Sequence, residues 1–519
     1  MPGAKSMEVV LRLVIAPADI PRLRRLTLPK GWKRGTSRRK TLLSLYFDTP
    51  DLFLKQRAIV LWVRRDGRRW IQGVKAGGGV KPGPRIHLEI EEQVARDHPD
   101  FSKFDEHTLA ELALPPELQK QLRPVFVTDF HRTTWLLESP SGDVVEMALD
   151  QGETRIDRGA GVPISEIELV LKSGNLAALY EAALILLEWV PLYLENASKM
   201  ARGYALRVSP ASQPPLKALP PAFRGDVSVS QAFQIVAWDC IGHLQGNHPG
   251  LLTGDDVEYV HQMRVALRRL RSAMGLFAKI VPTFQDGGLS VDVGWLAGEL
   301  GAARDWDVFV TESLPAFISP AEDDTALRRL GDQALAVAVG NREKARQAAN
   351  SQRYLRLLLN LGAWLNREAW RFGANKRLLA ALDQPILKWS GRLLDKRHKQ
   401  LLRRGAKLDG LSASERHMLR IAAKKLRYAA EFLAHLHPAK ETGLYLKALA
   451  DLQDVLGALN DHVVTQRLLG ELRQGCRSDA SLARAIDEII DWDAGRASVQ
   501  LEALRRAWKD FAKQKRFWK

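Results

Sequence analysis

Two segments of this chain repeat one another at a fixed distance. Val260-His-Gln-Met-Arg-Val-Ala-Leu-Arg-Arg-Leu-Arg271 aligns with Arg416-His-Met-Leu-Arg-Ile-Ala-Ala-Lys-Lys-Leu-Arg427, which pairs His261 with His417, Arg264 with Arg420, Arg268 with Lys424 and Arg271 with Arg427. Leu300-Gly-Ala-Ala-Arg-Asp305 aligns with Leu456-Gly-Ala-Leu-Asn-Asp461 at the same offset of 156 positions. An offset held without a gap across both motifs implies two copies of one helical unit, packed as a pseudo-symmetric pair.

Positions i, i+3, i+7 and i+10 of a helix fall on one face, so His261, Arg264, Arg268 and Arg271 form one basic ridge, and His417, Arg420, Lys424 and Arg427 form another. Like charges at these spacings repel, and two such ridges in equivalent places point to a ligand that supplies negative charge. Arg304, Asp305 and Asp307 also fit an interhelical salt-bridge network. A denser basic run, Lys388 to Arg404, reads either as an extension of the ligand track or as a solvated helix face.

The repeat occupies only part of the chain. Five prolines between Ser209 and Pro221 read as an extended, semi-rigid tether. Before it come alternating strand-like runs, and after it come runs of helical periodicity. Of the formal charge of +17, residues 1–210 supply +5 (31 basic, 26 acidic) and residues 211–519 supply +12 (46 basic, 34 acidic). The boundaries expected are a strand-rich domain 1–208, a linker 209–224, a helical domain 225–510 and a basic tail 511–519.

In the strand-rich half, two-residue alternation puts charges on one face: Glu166, Glu168 and Lys172; Glu146 and Asp150; Arg85, His87, Glu89 and Glu91. If that face lines a barrel interior, its carboxylates suit hard divalent cations and its Lys and Arg suit phosphate oxygens. If it faces water, it is an ordinary sheet. Alternation leaves both readings open.

The residues of the helical half, with Arg353-Tyr354 and Arg420 to Tyr428, resemble the CHAD domain over roughly residues 225–510. The resemblance implies two pseudo-symmetric four-helix bundles whose basic surface binds inorganic polyphosphate, with no cofactor. Carried over by position, the ligands are His261, Arg264, Arg268, Arg271, Arg304, Arg353, His417, Arg420, Lys424 and Arg427. Polyphosphate has no bases to stack on, so Arg forks and Lys point charges suffice.

Tyr46-Phe-Asp-Thr-Pro-Asp51, Leu61-Trp-Val-Arg64, Gly73-Val-Lys75, Phe130-His-Arg132, Glu146-Met-Ala-Leu-Asp150, Ser165-Glu-Ile-Glu-Leu169 and Ser198-Lys-Met-Ala-Arg-Gly-Tyr204 resemble a CYTH domain, the triphosphate tunnel metalloenzyme fold, over about residues 7–208. The resemblance implies an antiparallel β-barrel tunnel with flanking helices, making the whole chain a multidomain α+β protein. It also implies Mg²⁺ or Mn²⁺ on Glu8, Asp150, Glu166 and Glu168, and triphosphate held by Arg12, Arg64, Lys75, Arg85, Arg132, Lys172, Lys199 and Arg202. The chain departs from that family at its opening Glu-x-Glu-x-Lys. Glu8-Val-Val-Leu-Arg12 places Val10 where the second carboxylate belongs and Arg12 where the lysine belongs, and Trp62 stands where an arginine is expected.

Cys240 and Cys476 are too few for a disulfide framework or a thiolate metal site, and no apolar stretch is long enough to span a bilayer. A cytoplasmic location, on polyphosphate granules, is the expectation, with no membrane partner. The basic charge alone would also suit nucleic acid, but the ridges lack interleaved aromatics for base stacking. Polyphosphate binding is therefore the first reading and metal-dependent triphosphate hydrolysis the second. A bound polyanion raises a histidine pKa, so tighter binding at pH 6 than at pH 8 is expected through His261 and His417.

Overall fold

The alternating runs of the first half form one antiparallel sheet of ten strands in a computed structural model that describes residues 9–76, 88–105, 114–156, 161–207, 214–281, 288–317, 325–475 and 479–519. Glu8, Arg85 and His87 lie outside the described residues. The strands are β1 (Val10–Ile15), β2 (Lys33–Arg34), β3 (Arg38–Asp48), β4 (Ile59–Asp66), β5 (Arg69–Ala76), β6 (Leu88–Val94), β7 (Arg123–Glu138), β8 (Val144–Arg155), β9 (Val162–Ser173) and β10 (Leu192–Leu194). Their order is β10-β1-β9-β8-β7-β3-β4-β5-β6, with β2 paired to β7. Among the described residues the ladder runs from β10 to β6 without closing, where a barrel was expected.

The longer helices are α1 (Ala177–Trp189), α2 (Lys199–Arg207), α3 (Val229–Thr253), α4 (Glu258–Phe277), α5 (Leu289–Val308), α6 (Thr325–Ala349), α7 (Gln352–Asn366), α8 (Ile386–Gly405), α9 (Ala413–Leu433), α10 (Ala439–Gly475) and α11 (Ala480–Ala512). The chain divides into two units, Met1–Pro214 with Asn350–Arg367, and Pro215–Ala349 with Glu368–Lys519.

In the first unit the apolar side of the sheet is its outer side. Leu13, Ile15, Met147, Leu149, Ile167 and Leu169 are buried with Ala178, Leu179, Ala182, Ala183 and Leu186 of α1. Each buried leucine contributes roughly 1.5–3 kcal/mol of transfer free energy. Helix α7 completes this layer through Leu355 and Leu359, and Arg367 just beyond it forks onto Glu181 at 2.8 and 2.7 Å. Gly362 is required there, because a Cβ would stand 2.3 Å from the Tyr180 ring. Sequence reading had placed residues 350–367 inside the helical repeat. Their apolar face instead packs with the sheet's flanking helix, so Arg353 belongs to the first unit.

In the second unit α3–α6 and α8–α11 are the two copies, and α4 and α9 carry the basic ridges at the expected offset. Capping boxes at Ser228–Gln231 and Ser412–Glu415 start α3 and α9. The copies interlock. Hairpins α3–α4 and α8–α9 pack together, and a second core joins Leu327, Leu330 and Ala334 of α6 to Leu468 and Leu469 of α10 and Ile486 and Ile489 of α11. Each four-helix bundle thus takes two helices from each copy.

Two boundary readings change. Residues from Pro215 onward form no free tether: Leu216 is fastened through its backbone to Asn247 (2.9 Å) and His243 (2.9 Å), and the Leu219 carbonyl accepts from Arg269 (3.0 Å). The C-terminus is no loose basic tail either. Phe511, Phe517 and Trp518 are buried with Tyr445 and His398, and Arg516 and Trp518 both donate to Asp395 at 2.9 Å.

Candidate functional site

The first unit presents its charged face inward. Asp150 and Glu166 have no exposed surface, which excludes the reading of an ordinary solvated sheet face for β8 and β9, whereas Glu91 of β6 is exposed. Register sets them together: Arg12 of β1 faces Glu168 of β9, Glu166 of β9 faces Asp150 of β8, and Asp150 faces Arg132 of β7. Arg132 forks onto Asp150 at 2.7 and 2.6 Å and also reaches Glu168; Arg12 donates to Glu168 at 3.1 Å. Helix α2 brings in the remaining cations. Lys199 Nζ lies 2.6 Å from Asp150 and 3.1 Å from Glu168 and contacts Glu166, while Arg202 pairs with Glu166 and with Glu195 at 2.9 Å.

Burial alone would raise the Glu168 pKa, but Lys199, Arg132 and Arg12 together hold it down at about 2. Burial likewise opposes the charge on Lys199, and Asp150, Glu168 and Glu166 outweigh it and raise that pKa. The ligand oxygens of Asp150, Glu166 and Glu168 lie within 4.8 Å of one another. This all-oxygen, largely buried set fits a hard divalent cation, although Lys199 Nζ now stands among the three.

Other expected tunnel residues are engaged elsewhere. Arg64 stacks over the Trp62 ring (4.3 Å to the centroid) and donates to Ser44 at 3.1 Å. Lys172 pairs with Glu146 at 3.4 Å, and Lys75 sits on the Trp62 face of the sheet, next to Gly73. Trp62 itself lies across Gly73, where a Cβ would meet its ring at 2.1 Å, and joins Tyr46, Val60, Phe126 and Tyr204 in an apolar cluster. Part of the inner face is therefore a packed aromatic core. The Tyr46 to Asp51 motif is structural at its centre, since Asp48 accepts from the backbone of Leu54 (2.8 Å) and Lys55 (3.0 Å) and from the Tyr204 hydroxyl (3.1 Å). Glu195 was missed because it follows a three-residue strand that carries no alternation signal.

In the second unit the two ridges meet. Helices α4 and α9 pack together, and a cavity of about 700 Å³ opens between them, lined by His261 and Arg268 of one copy and Arg420, Lys424 and Arg427 of the other. Glu431, Asp454 and Asp461 are also in its wall, with Arg427 paired to Glu431 at 2.7 Å. Ala218 and Pro220 form part of the wall, so the proline-rich segment builds the site. Among the described residues, Arg268, Arg420 and Lys424 make no ion pair, and the Nε atoms of both arginines are buried without a hydrogen-bond partner. Burial, and then the charges of Arg268, Arg420 and Arg264, push the Lys424 pKa down to about 7, against a partial offset from Asp461. His261 is pushed down to about 4 by burial and by Arg304, Arg268 and Arg264, with Glu258 opposing. Three cations without an ion-pair partner thus face one cavity, offset in part by Asp461.

The remaining ridge residues divide. Arg264 donates to Asp305 at 2.7 Å, and Asp305 also holds Arg467 at 3.0 Å; Asp307 is buried against Arg342 at 2.7 Å. Both aspartates thus serve the salt-bridge network. Arg304 lies 3.5 Å from Glu312 but acts electrostatically on His261. His417 is exposed and bonded to Asn460 (3.0 Å), and Arg271 is exposed. Arg269, which sequence reading passed over, lines the cavity from a buried position, held by Asp239 at 3.0 Å and lying 5.3 Å from the Phe432 ring. Its only sequence signal was an arginine on the apolar side of an amphipathic helix.

Comparison with known proteins finds two domain families, the second of which spans residues 350–367 as well. The CYTH domain family matches residues 6–204 and the CHAD domain family matches residues 235–470. The chain is 32% identical over 213 residues to an inorganic triphosphatase of Haemophilus influenzae, covering 40% of this chain and 56% of that protein. It thus spans little more than half the length of that relative. It is 24% identical over 453 residues to an uncharacterized protein of Mycobacterium tuberculosis, covering 82% of each. A solved CHAD domain from the plant Ricinus communis is 36% identical, with a TM-score of 0.51, over 57% of this chain and 97% of that one. Among the described residues no helix is long and apolar enough to cross a membrane.

Proposed function

We propose that this chain, a CYTH domain followed by a CHAD domain, binds inorganic polyphosphate in the cavity between α4 and α9. The observation that carries this reading is the convergence of Arg268, Arg420 and Lys424 on one cavity with no ion pair among the described residues, Asp461 of the same lining offsetting Arg420 and Lys424 only in part. A chain of phosphates supplies closely spaced oxygens without bases or sugars, and guanidinium forks with one ammonium match it. The net charge of +17 favours its approach. Association with polyphosphate granules in the cytoplasm follows from this reading. The test is a polyphosphate titration of the full chain in EDTA buffer at two salt concentrations, with single-stranded DNA as competitor. Binding that DNA of equal charge fails to displace supports the reading; equal displacement sinks it.

A second activity is supported by the ion-pair network of the tunnel. Asp150, Glu166 and Glu168 would hold Mg²⁺ or Mn²⁺, and Arg12, Arg132, Lys199 and Arg202, thereby released from them, would take the oxygens of a triphosphate. A metal triphosphate thus replaces both halves of a network that is already balanced. When bound, the metal would supply Lewis acidity toward the phosphates and a lowered pKa for a bound water. Val10 brings no carboxylate to β1, and Trp62 fills inner-face volume with aromatic carbon, so this activity should be weaker than with a carboxylate at position 10. Phosphate release from triphosphate with and without Mg²⁺ tests it, with Glu166→Gln as the variant that should abolish release.

A further inference from the structure

The cavity does not end the cationic surface of the helical unit. Arg271 lies one turn beyond Arg268 on α4, and Gly275, one turn further, accepts at its carbonyl a hydrogen bond of 2.5 Å from Arg397 of α8. On α9, Lys425 follows the cavity residue Lys424 and faces Arg397, Arg404 and Arg271, whose charges act on it together with burial. Lys396 stands in the same relation to Arg397 and Lys279. Arg271, Lys279, Lys396, Arg404 and Lys425 are exposed, and Arg397 is half-buried. No carboxylate acts on Lys396 or Lys425 in these groupings. The acid of that stretch of α8, Asp395, is taken by Arg516 and Trp518. Helices α4, α8 and α9, with Lys279 in the turn after α4, thus place six cations in a group that adjoins the cavity residues Arg268 and Lys424 along the chain. Like charges so assembled cost stability unless an anion joins them.

We propose that Arg271, Lys279, Lys396, Arg397, Arg404 and Lys425 form an anion-binding track that continues from the cavity and carries the onward run of a polyphosphate too long for the cavity alone. This rests on the polyphosphate reading above and adds a preference for long chains. The track selects by length, because only a chain anchored at Arg268 and Lys424 reaches Lys425 and Arg397 with its next phosphates, as a second contact made at high effective concentration.

The experiment compares the wild-type full chain with the triple variant Lys396→Gln, Arg404→Gln, Lys425→Gln. Arg397 is kept because it holds the Gly275 carbonyl. Affinities for inorganic triphosphate and for long-chain polyphosphate are measured in EDTA buffer over a range of salt, so that the tunnel contributes equally to both proteins. The variant should lose about tenfold in affinity for the long chain, at a few tenths to one kcal/mol per exposed charge, and show a shallower salt slope. Its affinity for triphosphate should stay at the wild-type value. An unchanged long-chain affinity in the variant, or a wild type that binds both lengths equally, overturns the track and leaves the cavity reading standing. A wild type that binds neither overturns both. Equal weakening of single-stranded DNA and polyphosphate by the variant would make the surface a generic polyanion site and also overturn the proposal.

Discussion

If the cavity binds polyphosphate as proposed, Lys424 should make that binding depend on pH in a way that its arginine counterpart in the other copy cannot. In the free protein, burial and the charges of Arg268, Arg420 and Arg264 bring its pKa down to about 7 from the usual 10.5 of a lysine. A phosphate chain in the cavity restores the charged form, so binding takes up a proton wherever the free lysine has lost one. The protonated fraction of a group titrating at 7 falls from about nine-tenths at pH 6 to about one-tenth at pH 8, so affinity should fall about tenfold, or about 1.4 kcal/mol, over that interval. The direction matches the sequence-based expectation made for His261 and His417, and Lys424 supplies it by a separate titration. His261 is held down at about 4 and stays neutral in the free protein throughout the range. The assay is calorimetric or fluorescence titration with long-chain polyphosphate at pH 6, 7 and 8 in EDTA. Lys424→Arg, which copies the residue at position 268, keeps its charge and should bind with nearly the same affinity at all three values. A wild-type change below twofold, or a Lys424→Arg variant that still loses tenfold, would refute the assignment.

The same lysine should cost stability when no ligand is present. Its folded pKa lies below its unfolded value, so the unfolded chain binds more protons between about pH 7 and 10.5, and stability of the ligand-free protein rises with pH across that window. Lys424→Met should accordingly stabilise the free protein at pH 6 by about 1–3 kcal/mol while weakening polyphosphate binding, as read by urea denaturation with and without ligand; a loss of stability would contradict this. In the tunnel, Glu168 is depressed from 4.5 to about 2, so it contributes about 3 kcal/mol that is fully present above pH 4.5 and disappears as pH falls toward 2. Glu168→Gln should flatten acid unfolding of the first unit in that interval, and an unchanged acid transition would count against the Lys199, Arg132 and Arg12 network. Val10→Glu should return a carboxylate to the strand that faces Glu168 and raise Mg²⁺-dependent phosphate release from triphosphate severalfold, with steady-state kinetics against Mg²⁺ as the check. No gain at any Mg²⁺ concentration would show that Val10 is not what limits the tunnel.

The elements themselves were legible because their signals are local. Period-two alternation in Ser165 to Leu169 and Glu146 to Asp150 marked strands, and the 156-position offset marked two helical copies whose ridges open α4 and α9. Helical spacing also made His261, Arg264, Arg268 and Arg271 one face. Which charges remain uncompensated was decided by residues distant in sequence. Asp305 comes from another helix to neutralise Arg264, while among the described residues Arg268, Arg420 and Lys424 make no ion pair and Asp461 offsets Arg420 and Lys424 only in part.

Alternation could say that one face of the sheet is charged but not which side water reaches, because that depends on what covers it. Helices α1 and α7 cover the apolar side, and α2 brings Lys199 and Arg202 onto the charged one. Helix α7 was read as part of the repeat, yet Leu355 and Leu359 are buried with α1, a partner far away in the sequence. The proline-rich segment looked like a tether because prolines forbid helix and central strand, a statement about its own backbone alone. Its place in the cavity wall depends on Asn247, His243 and Arg269. From the sequence alone came two strand and helix domains, a duplication and a polyanion-seeking charge, all properties of neighbours along the chain. The tertiary structure decided which cations lack a partner and which carboxylates are buried, since burial and pairing are set by groups that meet only on folding.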